Sequence, residues 1–185
     1  MTLEQRIQRL EDIEAIRYLQ AKYQRCLDTR DFNGIASCFA DDVVSGYGNG
    51  EMAYNGKDNV LKFLMGSMAI GMPSAHMIHG GEIDVEGDTA SAKWYLQDFL
   101  MVKSHNINIE GAAIYENTYA RIDGEWKIKT IGYKRLYEYM DSVSQTQGAT
   151  FKKTTFLDEI MAKNPEDYTG YNQMFCAMSK PKEDK

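Results

Sequence analysis

Apolar side chains fall at Leu3, Ile7, Leu10, Ile13, Ile16, Leu19, Tyr23 and Leu27, three or four residues apart. That period puts them on one helical face and predicts a long amphipathic helix over residues 3 to 27. The polar run Asp28-Thr29-Arg30-Asp31 interrupts it. Asp31 or Thr29 is suited to cap a second, shorter helix through Phe32, Ile35 and Phe39, so a helical hairpin opens the chain. After Asp41-Asp42 the period changes. Val43, Val44 and Tyr47, then Gly48-Asn49-Gly50, then Met52 and Tyr54 read as two short strands around a turn. Helical spacing returns from Asp58 to Met68, and Gly71-Met72-Pro73 ends that element.

The remainder has the period of strands. Ile83 and Val85 alternate up to a turn at Glu86-Gly87-Asp88, and Ala90, Ala92, Trp94, Leu96, Asp98 and Leu100 then share one face of a long strand. Another strand spans about 107 to 122, and Asp123-Gly124 signals a tight hairpin into a last strand from Trp126 to about Tyr139. Helices followed by long meandering strands define an α+β domain over residues 1–140, in which a conical, curved antiparallel sheet wraps around the N-terminal helices and leaves a pocket. Residues 141–185 read as a C-terminal extension. A Ser/Gln/Thr/Gly stretch precedes a short amphipathic segment (Phe156, Leu157, Ile160, Met161), with Tyr168, Tyr171, Met174 and Phe175 as apolar anchors. This arm is suited to cover the pocket or a neighbouring subunit, with disorder expected beyond Ser179.

Composition narrows the partners. With 21 Lys and Arg against 27 Asp and Glu in 185 residues, the net charge of −6 disfavours nucleic acid and anionic membrane surfaces. No apolar run approaches the roughly 20 residues of a membrane span, and the N-terminus lacks an apolar leader-type run. Cys26, Cys38 and Cys176 are odd in number, far apart and without a nearby His, which argues against a disulfide framework or a zinc site and for a reduced, cytoplasmic setting. The 12 Tyr and 11 Met suit either an adaptable apolar pocket or an ordinary core.

Six positions carry candidate chemistry. Asp98 lies on the same strand face as Trp94 and Leu96, so its carboxylate must meet a cation, a donor or water. His76 and His79 lie on opposite faces of a strand, so one points inward and the other out. No metal-ligand spacing accompanies them, and no metal is expected. Tyr23 and Asp28 are five apart, roughly 140° around a helix, and share a site only if the helix ends between them. Taken alone, Tyr23 reads as core and Asp28 as a cap or turn residue. Arg135 alternates with Lys127 and Lys129 toward solvent unless a bulge near Gly132 turns it inward.

Taken together, the residues resemble the SnoaL-like branch of the nuclear transport factor 2-like superfamily, and within it the bile acid 7-dehydratases of gut anaerobes. The resemblance runs from Met1 to about Tyr139. It rests on Asp12-Ile13-Glu14-Ala15-Ile16, Lys22-Tyr23, Arg25-Cys26-Leu27-Asp28, His76-Met77 with His79, Glu82-Ile83, Trp94-Tyr95-Leu96 with Asp98, Ile122-Asp123-Gly124 with Trp126, and Gly132-Tyr133 with Arg135. It implies Tyr23, Asp28 and His76 as catalytic residues, Tyr47, Asp98 and Arg135 as substrate-binding residues, and a bulge at Gly132. The implied reaction is loss of water from a 7-hydroxy-3-oxo-4-ene steroid or bile acid, as free acid or coenzyme A thioester, without cofactor, by a homo-oligomer, plausibly a trimer. A ketosteroid isomerase, a polyketide cyclase, a non-catalytic steroid-binding module and the structural small subunit of a ring-hydroxylating dioxygenase are alternatives on the same fold.

Overall fold

In the computed structural model, which describes residues 1–68, 72–102 and 105–142, Thr2 opens the first helix, α1 (Leu3–Thr29), through a reciprocal capping box with Gln5. The predicted apolar stripe is buried only from its middle onward. Ile16, Leu19, Tyr23, Cys26 and Leu27 enter the core, whereas Leu3, Ile7 and Leu10 are exposed, because the helix outruns the sheet beneath it. Arg30, in the left-handed region at φ 59°, ends α1, and the Asp31 side chain caps α2 (Phe32–Cys38) by accepting the Gly34 N–H at 2.7 Å.

The sheet strands are β1 (Phe39–Tyr47), β2 (Met52–Asn55), β3 (Ser74–Glu86), β4 (Thr89–Val102), β5 (Ile107–Ile122) and β6 (Glu125–Ser142). Helix α3 (Lys57–Ser67) lies between β2 and β3, and the sheet order is β2-β1-β6-β5-β4-β3. One expectation is corrected here. The sheet is mixed rather than antiparallel, because β1 runs parallel to β6. The pairs between strands consecutive in sequence are all antiparallel, but four strands and a helix separate β1 from β6 along the chain, so no hairpin dictates their relative direction. Of the proposed C-terminal arm, Asp141 and Ser142 continue β6, and the rest lies outside the described residues.

The inner face of the sheet follows alternation closely on β4, where Ala90, Ala92, Trp94, Leu96 and Asp98 are all buried. Across from them α1 is held by more than apolar contact. Gln20 Oε1 accepts from Tyr119 OH at 2.7 Å and from Asn117 Nδ2 at 3.0 Å, and Trp94 Nε1 donates to Tyr119 OH at 2.9 Å. Such a buried polar network fixes the register of helix on sheet, since any slip leaves donors unpaired.

Strand β6 is the least regular. Its pairing with β5 shifts by one residue between Thr118 and Tyr119, leaving Lys129 as the extra residue, and again between Ala112 and Ala113, leaving Leu136. The inward set therefore changes from Trp126 and Ile128 to Ile131, Tyr133 and Arg135. A bulge does turn Arg135 inward, but it lies at Lys129 and not at the expected Gly132. Gly132 has a different constraint. It pairs with Gly46 of β1, where an added Cβ would stand 2.6 Å from the Gly46 carbonyl oxygen. Gly132→Ala is therefore expected to force β1 from β6 and destabilise the protein by about 1–3 kcal/mol, read as a lower urea midpoint at unchanged slope.

Candidate active site

The end of α1, the start of β3 and the inward side chains of β4, β5 and β6 enclose a cavity of about 300 Å³ roofed by Phe63, Leu64 and Met68 of the α3 segment. Its walls are mostly apolar and aromatic. Tyr47 stacks on Phe63 with ring centres 5.5 Å apart, and Tyr133 meets Tyr115 edge-on at 5.6 Å.

His76 lies on the inner face of β3, where its backbone pairs with Asp98 of β4, while His79 faces solvent, as alternation requires. His76 Nδ1 is 2.6 Å from Asp28 Oδ1, and the His76 backbone N–H donates to Asp28 Oδ2 at 2.8 Å. The carboxylate thus grips both the ring and the backbone of one residue. This holds the proton on Nδ1 and leaves Nε2 with the lone pair that can accept a proton.

The placement of Tyr23 and Asp28 differs from expectation. Helix α1 does not end between them but runs on to Thr29. Their angular separation survives, so Tyr23 enters the cavity directly, while Asp28 passes behind His76 and reaches the cavity only through that ring. Asp28 is neither cap nor turn residue. Tyr23 OH lies 3.1 Å from Tyr47 OH, both fully buried. Burial, followed by the nearby Tyr47 and Tyr115 hydroxyls, pushes the Tyr23 phenol well above its ordinary range. Burial does the same for Tyr47. Both phenols therefore stay neutral and serve as hydrogen-bond donors.

Asp98 finds its cation in Arg135. The pair is bidentate, with Nη1 to Oδ1 at 2.6 Å and Nη2 to Oδ2 at 2.8 Å, and Asp98 is 2% exposed. Arg135 Nε also lies 3.0 Å from Glu138 Oε2, and the guanidinium sits 4.8 Å above the Tyr133 ring. Burial lowers the Arg135 pKa, but the bonds and charge of Asp98 outweigh it and raise the value overall. Arg135→Met leaves a buried carboxylate without its partner, so a loss of about 3–5 kcal/mol in folding stability is expected from denaturant titration. Adding Asp98→Leu to that variant should recover most of the loss, because the orphaned charge goes with it.

All six residues singled out from the sequence thus converge, five at the cavity wall and Asp28 behind His76. Sequence reading missed Tyr115 and Tyr133, which also line the cavity, and Glu138 at its rim. Alternation along β5 through Ala113, Tyr115 and Tyr119 would have found the first of these. Tyr133 and Glu138 depend on the β6 bulges, which leave no local signal.

Helices followed by a curved sheet of six strands, with a pocket between them, define the nuclear transport factor 2-like or cystatin-like fold. The model of the SnoaL-like domain matches residues 8–131, and the chain belongs to that family. Among solved structures it is similar to a hexachlorocyclohexane dehydrochlorinase (LinA) type 2, with a TM-score of 0.69 and 22% identity over 80% of this chain and 97% of that one. It is also similar to a protein proposed to be a scytalone dehydratase, from Novosphingobium aromaticivorans (TM-score 0.65, 20% identity, 71% and 88% of the two chains). A third is a nuclear transport factor 2-like protein with a cystatin-like fold from the same species (TM-score 0.62, 23% identity, 80% and 96%). At these identities the likeness concerns the fold.

Proposed function

We propose that the protein is a cofactor-independent lyase that eliminates water from a hydroxylated, ring-containing ketone, with His76 as general base. The observation that carries this reading is the 2.6 Å contact between His76 Nδ1 and Asp28, with the ring at the wall of an apolar cavity. A base oriented by a carboxylate, in a site that excludes bulk water, is what proton removal from carbon needs. The Tyr23–Tyr47 hydroxyl pair supplies donors for the oxygen on which charge develops, and the Asp98–Arg135 pair supplies both an acceptor and a donor for the departing hydroxyl. One of the solved structures of similar fold is named for a dehydrochlorinase, which also removes a proton and a leaving group from carbon.

The substrate class follows from the resemblance to bile acid 7-dehydratases and is a 7-hydroxy-3-oxo-4-ene steroid or bile acid. Conjugation with the ketone acidifies the C6 proton. His76 takes that proton, the electron pair forms the new double bond, the C7–O bond breaks, and the proton returns from the imidazolium to the leaving oxygen to complete water. A cavity of 300 Å³ accommodates the ring end of such a molecule and not a coenzyme A moiety, so the carrier of a thioester would remain in solvent.

The test is mass spectrometry after incubating the protein, with nothing added, with the 7α- and 7β-hydroxy-3-oxo-4-ene acids and their thioesters. Loss of water from one epimer is expected. Unchanged mass with migration of a double bond would indicate an isomerase, and unchanged substrate with tight binding would indicate a binding module. Either result overturns the lyase reading.

A further inference from the structure

The His76–Asp28 pair is the front of a longer chain of groups. Ser74, two residues before His76, donates its hydroxyl to Asp28 Oδ1 at 2.8 Å, the same oxygen that faces His76 Nδ1. Behind Ser74 stands Arg30, whose Nη1 donates to Ser74 Oγ at 2.7 Å. Arg30 is 1% exposed, and its guanidinium also donates to the carbonyls of Leu27 at 2.9 Å, Asp28 at 2.8 Å, and Met72. These contacts join the C-terminal end of α1, which carries Asp28, to the segment that leads into β3, which carries His76. The negative end of the helix dipole and three carbonyls make a buried guanidinium tolerable there. That guanidinium cannot release its proton, so it is a permanent positive charge behind the carboxylate.

Its position matters for the electrostatics of His76. Asp28 from α1 holds the ring from behind, Asp98 of β4 is its cross-strand neighbour, and Arg135 and Glu138 of β6 line the same cavity as the ring, with the phenols of Tyr23, Tyr47, Tyr115 and Tyr133. Asp98 and Glu138 already share Arg135, so Asp28 is the carboxylate behind the ring that has no cation inside the cavity, and a general base must start unprotonated. Arg30 supplies the second positive charge. Through Ser74 it also draws electron density from the Asp28 oxygen that holds the ring.

We propose that Arg30, acting through Ser74, is a positioning residue that weakens the hold of Asp28 on protonated His76 and so keeps the ring free to accept a proton. The proposal rests on reading His76 as the base, but its test does not use turnover, so the two can fail separately. If His76→Ala kept full activity, the lyase reading would fall, while the titration described next would still decide what Arg30 does.

The experiment is a proton–carbon NMR titration of the three histidine rings in the full chain, with the His76 signal identified by its loss in His76→Gln. In Ser74→Ala the shared Asp28 oxygen loses a competing donor, so the His76 midpoint is expected to rise by about 0.5–1 pH unit. Arg30→Gln should raise it at least as far, and Ser74→Thr, which keeps the hydroxyl, should stay within about 0.2 unit of the parent. The midpoints of His79 and His105 serve as internal controls and should not move. A folded Ser74→Ala protein with its His76 midpoint unchanged or lowered would overturn the proposal and leave Arg30 as a staple between α1 and β3. Should Arg30→Gln fail to fold, the two Ser74 variants decide alone.

Discussion

Replacing His76 with alanine should lower kcat for the proposed dehydration by roughly 10²–10⁴-fold, the range general-base groups contribute. The fold should survive. Asp28 would keep the Ser74 hydroxyl and the backbone N–H of residue 76 as donors, so no buried charge is orphaned. Because the ring acts on the proton being removed, the loss belongs in kcat, with KM little changed. Asp28→Asn should fall by a comparable factor for a different reason. An amide can present an N–H to Nδ1, which reverses the tautomer and buries the proton acceptor on the wrong side of the ring. The measurements are the initial rate of water loss by mass spectrometry and the circular dichroism spectrum of each variant. Near-parental turnover in a folded His76→Ala protein would remove His76 as the base.

The proposed reaction divides its work between two side-chain pairs. His76 and Asp98 are cross-strand neighbours in the β3–β4 register, so an imidazole backed by Asp28 lies beside a carboxylate held by Arg135. In the proposed reaction one pair moves a proton, while the other is held bidentately and carries no net charge. The bidentate pair can orient a hydroxyl without requiring a charged substrate, which accords with a neutral ring end entering the cavity. The aromatic walls add area without adding charge.

Much of this was legible from the chain because the relevant signals are local. The period of α1, the cap at Asp31 and the alternation of β4 each follow from neighbouring residues, and a carboxylate at Asp98 on an apolar face requires a partner whatever that partner is. What escaped depends on distant geometry. The parallel pairing of β1 with β6 is decided by how the whole sheet closes, and no residue in either strand encodes direction. The bulge was inferred from the need to turn Arg135, and glycine suggested Gly132. The extra residue is in fact Lys129, since an exposed lysine accommodates a bulge as readily as glycine, while Gly132 is required for close approach to Gly46. The exposed first turns of α1 show the same limit, because periodicity gives the face of a helix and not where its cover ends. Arg30 had no signal at all, being one charged residue in a polar turn that the fold then buries completely.

The tyrosines that line and support the cavity should make the protein fail cooperatively at high pH. Burial raises the phenols of Tyr23, Tyr47, Tyr115 and Tyr119 above their ordinary value of 10.0. In the unfolded chain each ionises near that value, whereas in the folded chain each keeps its proton. Stability is therefore fully present below pH 10 and is lost as pH rises, because only the unfolded state can release these protons. Each phenol removes roughly 1.4 kcal/mol per pH unit above that point, so four remove about 5–6 kcal/mol one unit higher, comparable to the whole stability of an ordinary domain. Far-ultraviolet dichroism and tyrosinate absorbance, followed together, should show one sharp transition in which unfolding and ionisation coincide. Tyr23→Phe takes one group out of the linkage and should make the loss of stability with pH shallower by about a quarter, whatever it does to turnover. Smooth ionisation of these four phenols within an intact fold would contradict their placement in the dry interior. The same burial that makes the protein sensitive to alkali keeps Tyr23 and Tyr47 protonated at neutral pH, where the proposed reaction needs them as donors.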